Sequence, residues 1–424
     1  MSLTQLTATE MADKLRAGET TAVELVTAHL EAGTDAYVHI NSEDALAVAA
    51  DVDAGKYDHP LAGVPVVLSD VIVTKGMPTA AGSDYLDGWV SPYEATVVTR
   101  LREAGLPILG KAKVAEFGIG YESGAHQAVG NHQAPFAVVS DTAGTARHAA
   151  AGTGVVAIKP TYGAISRYGL VAAYSSMDTI TPIARNTADA KALHELLVGY
   201  DMQDPTSLDY AWDFTSTAEA SGTTVGIVAT QPEDVTDGIW ALYQNGVAAL
   251  EQAGVKTTDI ALETLEQARQ ATHIIGAAEF SANLAKFDGI RFGNRVTPDN
   301  ATVQDMIMAS RGAGFGYETK RRIMLGTQLL STGTISTHFY PAQQVRTAII
   351  QEHQQAFESV DALAVPAATI QGAEYDSTNP GVGASLAGLP ASSVAGVHIS
   401  APTYADELVY RLSAIVENSA GATA

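Results

Sequence analysis

The sequence predicts an α/β fold, because short β-branched apolar runs alternate along it with amphipathic helical stretches. Hydrophobic residues make up 46% of the 424 residues and charged residues 17%, so the chain can bury a large core. Runs such as Gly63 to Leu68 carry no polar interruption, the pattern of strands buried on both faces, which implies a sheet largely covered by helices.

The first 55 residues read as helices. Thr7-x-x-Glu10 and Thr21-x-x-Glu24 both fit the capping box that satisfies orphan amides at a helix start, and Met11, Leu15, Val23, Val26 and Leu30 follow at helical spacing. The period changes at Leu61, where Gly63 to Leu68 gives the first strand. Helical spacing returns over Glu94 to Ala104, and strands follow over Leu106 to Leu109 and Val155 to Ile158. Thr187 to Leu197 is an amphipathic helix with Asp189 in its first turn, where negative charge is favourable. Thr223 to Ala229 reads as a strand and Asp237 to Ala253 as a helix. Helical periodicity dominates from Leu262 to Phe357, with Arg311 to Gly316 read as a glycine-rich loop. The polar stretch from Asp201 to Gly222 is the one linker candidate, and the tail from Asn418 to Ala424 is expected to fray.

Lys plus Arg number 24 against 47 Asp plus Glu, a formal charge of −23. A polyanion needs clustered cations, and the densest cluster is Lys320-Arg321-Arg322, so direct nucleic-acid binding is not expected. An anionic membrane surface is disfavoured for the same reason, and no apolar run approaches the roughly 18 residues of a membrane span. The acid-containing N-terminus lacks a signal-peptide pattern, and the expected location is the cytoplasm. With no cysteine, thiolate chemistry is absent. Eleven histidines include His126, His132 and His148 in one region, but their spacing follows no ligand pattern; no metal site and no cofactor is expected, and they read as solvated or core residues.

The segment from Ser140 to Arg147 packs small residues around hydroxyls, which suits a tight turn that aims backbone amides at an anion. A Ser/Thr-rich structural turn is the alternative.

Ordered matches along the chain carry a resemblance. They include Leu61-Ala62-Gly63-Val64-Pro65, Val73 to Thr79, Ile108-Leu109-Gly110-Lys111, Lys159-Pro160-Thr161-Tyr162-Gly163, Ser166 to Val171, Ser281 to Ala285, Lys320 to Thr327 and Leu386 to Pro390. The chain resembles the amidase signature family, and within it the amidotransferase branch whose members work with subunits B and C. The resemblance implies one amidase-like domain over residues 1–424, with a mixed sheet covered by helices on both faces. N-terminal helices would occupy 1–60, the signature core 61–200, a strand and helix region 201–330, and a shortened C-terminal part 331–424.

The family hydrolyses amides with a Ser, cis-Ser, Lys triad, and the motifs that carry it are altered here. At the lysine position Gly63-Val64-Pro65 continues to Ser69-Asp70, which puts a neutral hydroxyl where the base would be. The serine–glycine segment of the bridging serine reads as deleted between Gly124 and Phe136. Asp141-Thr142-Ala143-Gly144-Thr145 keeps a hydroxyl, Thr145, at the nucleophile position, with Thr142, Ala143 and Gly144 as the oxyanion turn. Losing a general base costs roughly 10²- to 10⁴-fold. His148, three positions on, is the alternative base; Lys75 and Lys111 match other family positions and read as structural surface residues. Arg321 or Arg322 would hold a substrate carboxylate, while an acid expected near Thr378 is missing. The resulting expectation is a pseudoamidase that works by binding or assembly, through subunits B and C or self-association. The alternatives are a residual amidase using Thr145 and a non-turnover binder of a small amide.

Overall fold

A computed structural model describes residues 2–120, 124–150, 154–215, 220–232, 235–367 and 381–421. Thr378 and the tail residues 422–424 lie outside them.

Among the described residues, eleven strands form one sheet. In chain order they are β1 (Tyr37–Ile40), β2 (Val66–Ser69), β3 (Ile108–Ala112), β4 (Phe136–Asp141), β5 (Val156–Lys159), β6 (Thr179–Ala184), β7 (Thr224–Ile227), β8 (Lys256–Asp259), β9 (Ala362–Pro366), β10 (Ala391–Val394) and β11 (Val397–Ser400). Their spatial order is β1-β3-β2-β4-β6-β5-β10-β11-β9-β7-β8. β3, β2 and β4 run parallel, as do β9, β7 and β8, and the strands between these groups pair antiparallel. The sheet is therefore mixed, as expected.

Successive side chains of a strand point to opposite faces, and the core divides accordingly. Val66, Leu68, Phe136, Val138, Val156 and Ile158 join one apolar cluster, whereas Val67, Ala137, Val139 and Ala157 join another. The second face is covered by alanine-rich helices, Ala22–Glu31, Ser42–Asp53, Gly124–Gly130 and Thr145–Ala150, whose small side chains let backbone approach the sheet. The first is covered by bulkier helices such as Thr96–Glu103 and Thr187–Leu197.

Both capping boxes form as the sequence predicts. Each helix start is also held from a distance. The buried Asp189 carboxylate accepts the Ala8 amide (2.8 Å), the Thr9 amide (3.0 Å) and the Thr9 hydroxyl (2.7 Å), and Asp53 accepts the amides of Ala22 and Val23.

Four expectations need correction. The helix Val303–Gly314 runs through Gly312 and Gly314, so at that point only Phe315 and Gly316 are non-helical; burial of Met306 and Ser310 outweighs the weak helix propensity of glycine. The polar stretch after Asp201 is packed onto the body. Asp201 accepts the hydroxyls of Thr96 and Ser166, both at 2.5 Å, and Phe214 packs edge-on against His194. Helical periodicity also breaks over residues 287–302, which contain no helix. Finally, the last helix, Asp406–Gly421, continues past Asn418.

Replacing Asp189 with Ala removes three bonds to the first helix and leaves two amides without that acceptor. Its expected cost is about 2 kcal/mol, read as a lower urea midpoint at unchanged slope. An unaltered midpoint would show that the capping box alone holds this helix.

Candidate functional site

β2 and β4 are parallel neighbours, with Leu68 opposite Val138, so their carboxyl ends open on the same edge of the sheet. That edge is where α/β sheets place ligand chemistry. β2 ends at Ser69. β4 ends at Asp141, and residues 142–144 turn the chain into the helix Thr145–Ala150.

The turn is tight, and it is bonded to itself. The Thr142 amide donates to the Thr145 hydroxyl oxygen (3.1 Å), the Thr145 amide to the Thr142 carbonyl (3.3 Å) and the Gly144 amide to the Asp141 carboxylate (2.7 Å). Of the expected oxyanion turn, the Thr142 and Gly144 amides are engaged within the turn, as is the Thr145 amide. Ala143 adopts φ 56°, the left-handed region that a Cβ disfavours.

Beneath the turn lies an ion pair with both side chains fully buried. Arg147 Nε donates to Asp141 (2.9 Å), Nη2 to Asp141 (3.1 Å) and Ser385 Oγ (2.5 Å), and Nη1 to the Gly381 carbonyl (3.2 Å) and His398 Nε2 (2.7 Å). Burial alone would raise the Asp141 carboxyl, but the Arg147 charge and hydrogen bonds, with Lys159 and the Gly144 amide, outweigh it and hold it low. On the other side, the Thr142 hydroxyl donates to Asp178 (2.6 Å), a fully buried carboxylate that also accepts the amides of Ala173 and Tyr174. Burial raises the Asp178 carboxyl, since no cation bonds it among the described residues.

Ser69, Ser140, Thr145, Val71, Val139 and His126 line one cavity beside the turn. Its free volume is about 20 Å³, enough for a single water-sized molecule. The structure thus brings Ser69 and Thr145 together, whereas Arg321 and Arg322 are not among the lining residues. Arg321 makes a two-pronged pair with Glu318, both bonds 2.7 Å, and Arg322 forms an ion pair with Glu318 (2.8 Å) and donates to the Tyr174 hydroxyl (2.8 Å).

The spacing of His126 matches no ligand motif and marks it as a core residue, yet its helix carries it to the cavity wall. Its Nε2 lies 2.9 Å from the Ala146 carbonyl, which can only accept, so Nε2 carries the proton and Nδ1 presents a lone pair without a partner among the described residues. Burial pushes its pKa down to about 4. At neutral pH it is an uncharged and weak base. His148 lies one turn into the helix, its amide on the Gly144 carbonyl, and burial lowers it as well.

No lysine lines this cavity among the described residues, and the reason is geometric. Lys111 is fully buried, not at the surface as expected, and sits opposite Leu68 on the neighbouring strand. Adjacent strands point paired side chains to the same face, so Lys111 leaves the sheet on the side opposite Ser69. There its Nζ donates to the Ile72 carbonyl and to Thr79 Oγ1 (3.1 Å). Lys159 donates to the carbonyls of Pro160 (3.0 Å) and Leu389 (2.7 Å). Burial pushes both amines down to about 7, but neither lines the cavity. No group of three or more His, Asp or Glu suited to a metal occurs among the described residues.

Replacing Arg147 with Leu strands the Asp141 carboxylate; the expected loss is about 3–5 kcal/mol in urea unfolding. Ala143→Gly relieves the left-handed strain and should raise stability by about 1 kcal/mol; a lower midpoint would show that the turn is not strained. Stability should also fall as pH drops below 6.5, where unfolded His126 takes up a proton that the folded site refuses until about pH 4. Between pH 7 and 5 its share is about 2 kcal/mol, so His126→Gln should narrow the gap in urea midpoint between those pH values. An equal gap in both proteins would contradict the buried neutral imidazole.

Comparison with known proteins places the chain in a family. The sequence profile of the Amidase family matches residues 22–126 and 122–394. The A-type subunit of glutamyl-tRNA(Gln) amidotransferase from Paenarthrobacter aurescens is 38% identical over 477 aligned positions, covering 97% of this chain and 91% of the relative. Its namesake from Thermobifida fusca is 38% identical and covers 98% and 96%. The alignments are longer than the chain, so these relatives carry residues that it lacks. Among solved structures, the A-type subunit of glutamyl-tRNA(Gln) amidotransferase from Thermotoga maritima superposes with TM-score 0.76 at 28% identity, covering 98% of this chain and 95% of that one. A bacterial aryl acylamidase of the amidase signature enzymes superposes at 0.82 with 19% identity, over 98% and 96% of the two chains, a likeness of fold alone. With the fold, the ordered motifs and the strand-end turn in agreement, the chain belongs to the amidase signature family.

Proposed function

We propose that this protein is a noncatalytic amidase-signature protein that works by assembly with amidotransferase subunits. One observation carries the reading. The space beside Thr145 holds about one water-sized molecule, and the titratable residue in its described wall is a histidine held near pKa 4. An amide substrate needs room for its carbonyl carbon beside the hydroxyl, a base to take the hydroxyl proton, and amides facing the developing oxyanion. Three features bear on these requirements: Ser69 stands at the lysine position, His126 lines the small cavity with Ser69 and Thr145, and the Thr142 and Gly144 amides are bonded within the turn. Assembly is supported by the name of the relatives, which is that of one component of a larger enzyme, and by similarity to them along nearly the whole chain. The tight Asp141–Arg147 framework keeps the scaffold rigid without needing turnover.

The tests are direct. Purified protein should hydrolyse neither glutamine nor a simple amide above the level of its Thr145→Ala variant. Hydrolysis that disappears in that variant would establish Thr145 as a nucleophile and overturn the noncatalytic reading. Co-expressed with amidotransferase subunits B and C, the chain should co-purify with them, and failure to bind either them or itself would remove the assembly reading.

A further inference from the structure

A second cavity lies apart from the Thr145 site and shares no lining residue with it. Its volume is about 320 Å³, within the range of small-molecule pockets. The walls are the rings of Tyr93 and Tyr168, whose centroids are 5.7 Å apart at 51°, with Leu170 and Pro205. The two tyrosines meet because Gly169 has no side chain: its φ is 81°, and a Cβ there would lie 2.4 Å from the Ala95 Cα. The opposite wall is equally fixed. Asp201 accepts the Gln203 amide (2.9 Å) and the hydroxyls of Thr96 and Ser166, which pins the segment carrying Gln203 to Pro205.

The floor holds one charge of each sign, Arg167 and Asp204, 3.9 Å apart. Both are engaged inside the protein. Arg167 donates to Thr206 Oγ1 (2.9 and 3.2 Å) and to the carbonyls of Ser175 and Asp178, and its guanidinium stacks over Tyr162 at 4.6 Å. Asp204 accepts the Arg167 amide (2.7 Å) and both the amide and the hydroxyl of Thr206. An ionic ligand would give up its hydration here and find its countercharge already neutralised. A flat uncharged molecule loses little water and gains contact with two aromatic rings, with phenol hydroxyls and the Gln203 amide able to donate and accept.

We infer that this preformed cavity is a binding site for an uncharged, planar, aromatic-sized small molecule that packs against the rings of Tyr93 and Tyr168. Three probes of nearly equal shape separate the charge states: 2-naphthylmethanol, 2-naphthoate and 2-naphthylmethylammonium. Saturation-transfer NMR and calorimetric titration of the full chain should show binding of the alcohol at least tenfold tighter than of either ion. Tyr93→Ala and Tyr168→Ala should each weaken it about tenfold or more, while Tyr168→Phe, which keeps the ring, should retain most of it. Thr145→Ala should leave binding unchanged, which separates this site from the one at the strand ends. Either ion binding as well as the alcohol would overturn the inference, as would binding indifferent to both alanine variants or no binding of the alcohol at all. Circular dichroism of the alanine variants distinguishes loss of the site from loss of the fold.

Discussion

The buried pair of Asp141 and Arg147 is the contact on which the centre of the molecule depends. Asp141 ends a central strand, and Arg147 lies in the helix that follows, so their bond fixes the angle at which the chain leaves the sheet. The remaining guanidinium donors reach Ser385, Gly381 and His398, which ties residues far along the chain to the same point. Two charges removed from water stabilise little by themselves, because desolvation offsets their attraction. What the pair provides is specificity: every donor and acceptor has one arrangement that satisfies it, and any other leaves a buried charge bare.

From that anchor follows the state of the turn above it. Asp141 accepts the Gly144 amide, the Thr142 amide meets the Thr145 hydroxyl, and Asp178 fixes the Thr142 hydroxyl. A turn so bonded is stable because no amide in these bonds waits for a ligand. The amides of Thr142, Gly144 and Thr145 are thereby engaged inside the turn itself. Sheet geometry adds a second constraint. A lysine one strand away cannot replace the one missing at Ser69, because its register places it on the other face.

Much of the architecture was legible in the sequence, and the reasons can be traced to particular segments. Gly63 to Leu68 is apolar at every position because both faces of β2 are covered, and the run predicted a buried strand that the sheet contains as Val66–Ser69. Thr7 and Thr21 announced helix starts through local bonds that need no tertiary partner. Local reasoning failed where distant contacts override propensity. Gly312 and Gly314 read as a loop, yet packing of their helix carries it through them. Asp201 and Asp204 read as linker residues, yet their carboxylates gather hydroxyls and amides from the folded body.

The sequence by itself determined the family and the positions at which its motifs are altered, because motifs are local strings and a serine at position 69 or a threonine at 145 is visible without coordinates. Only the tertiary structure decided what stands in their place. The approach of His126 to Thr145, the burial of Lys111 on the far face and the size of the remaining cavity depend on how strands and helices from separate parts of the chain pack. Distances between such parts are set by the fold as a whole, and no spacing along the chain encodes them.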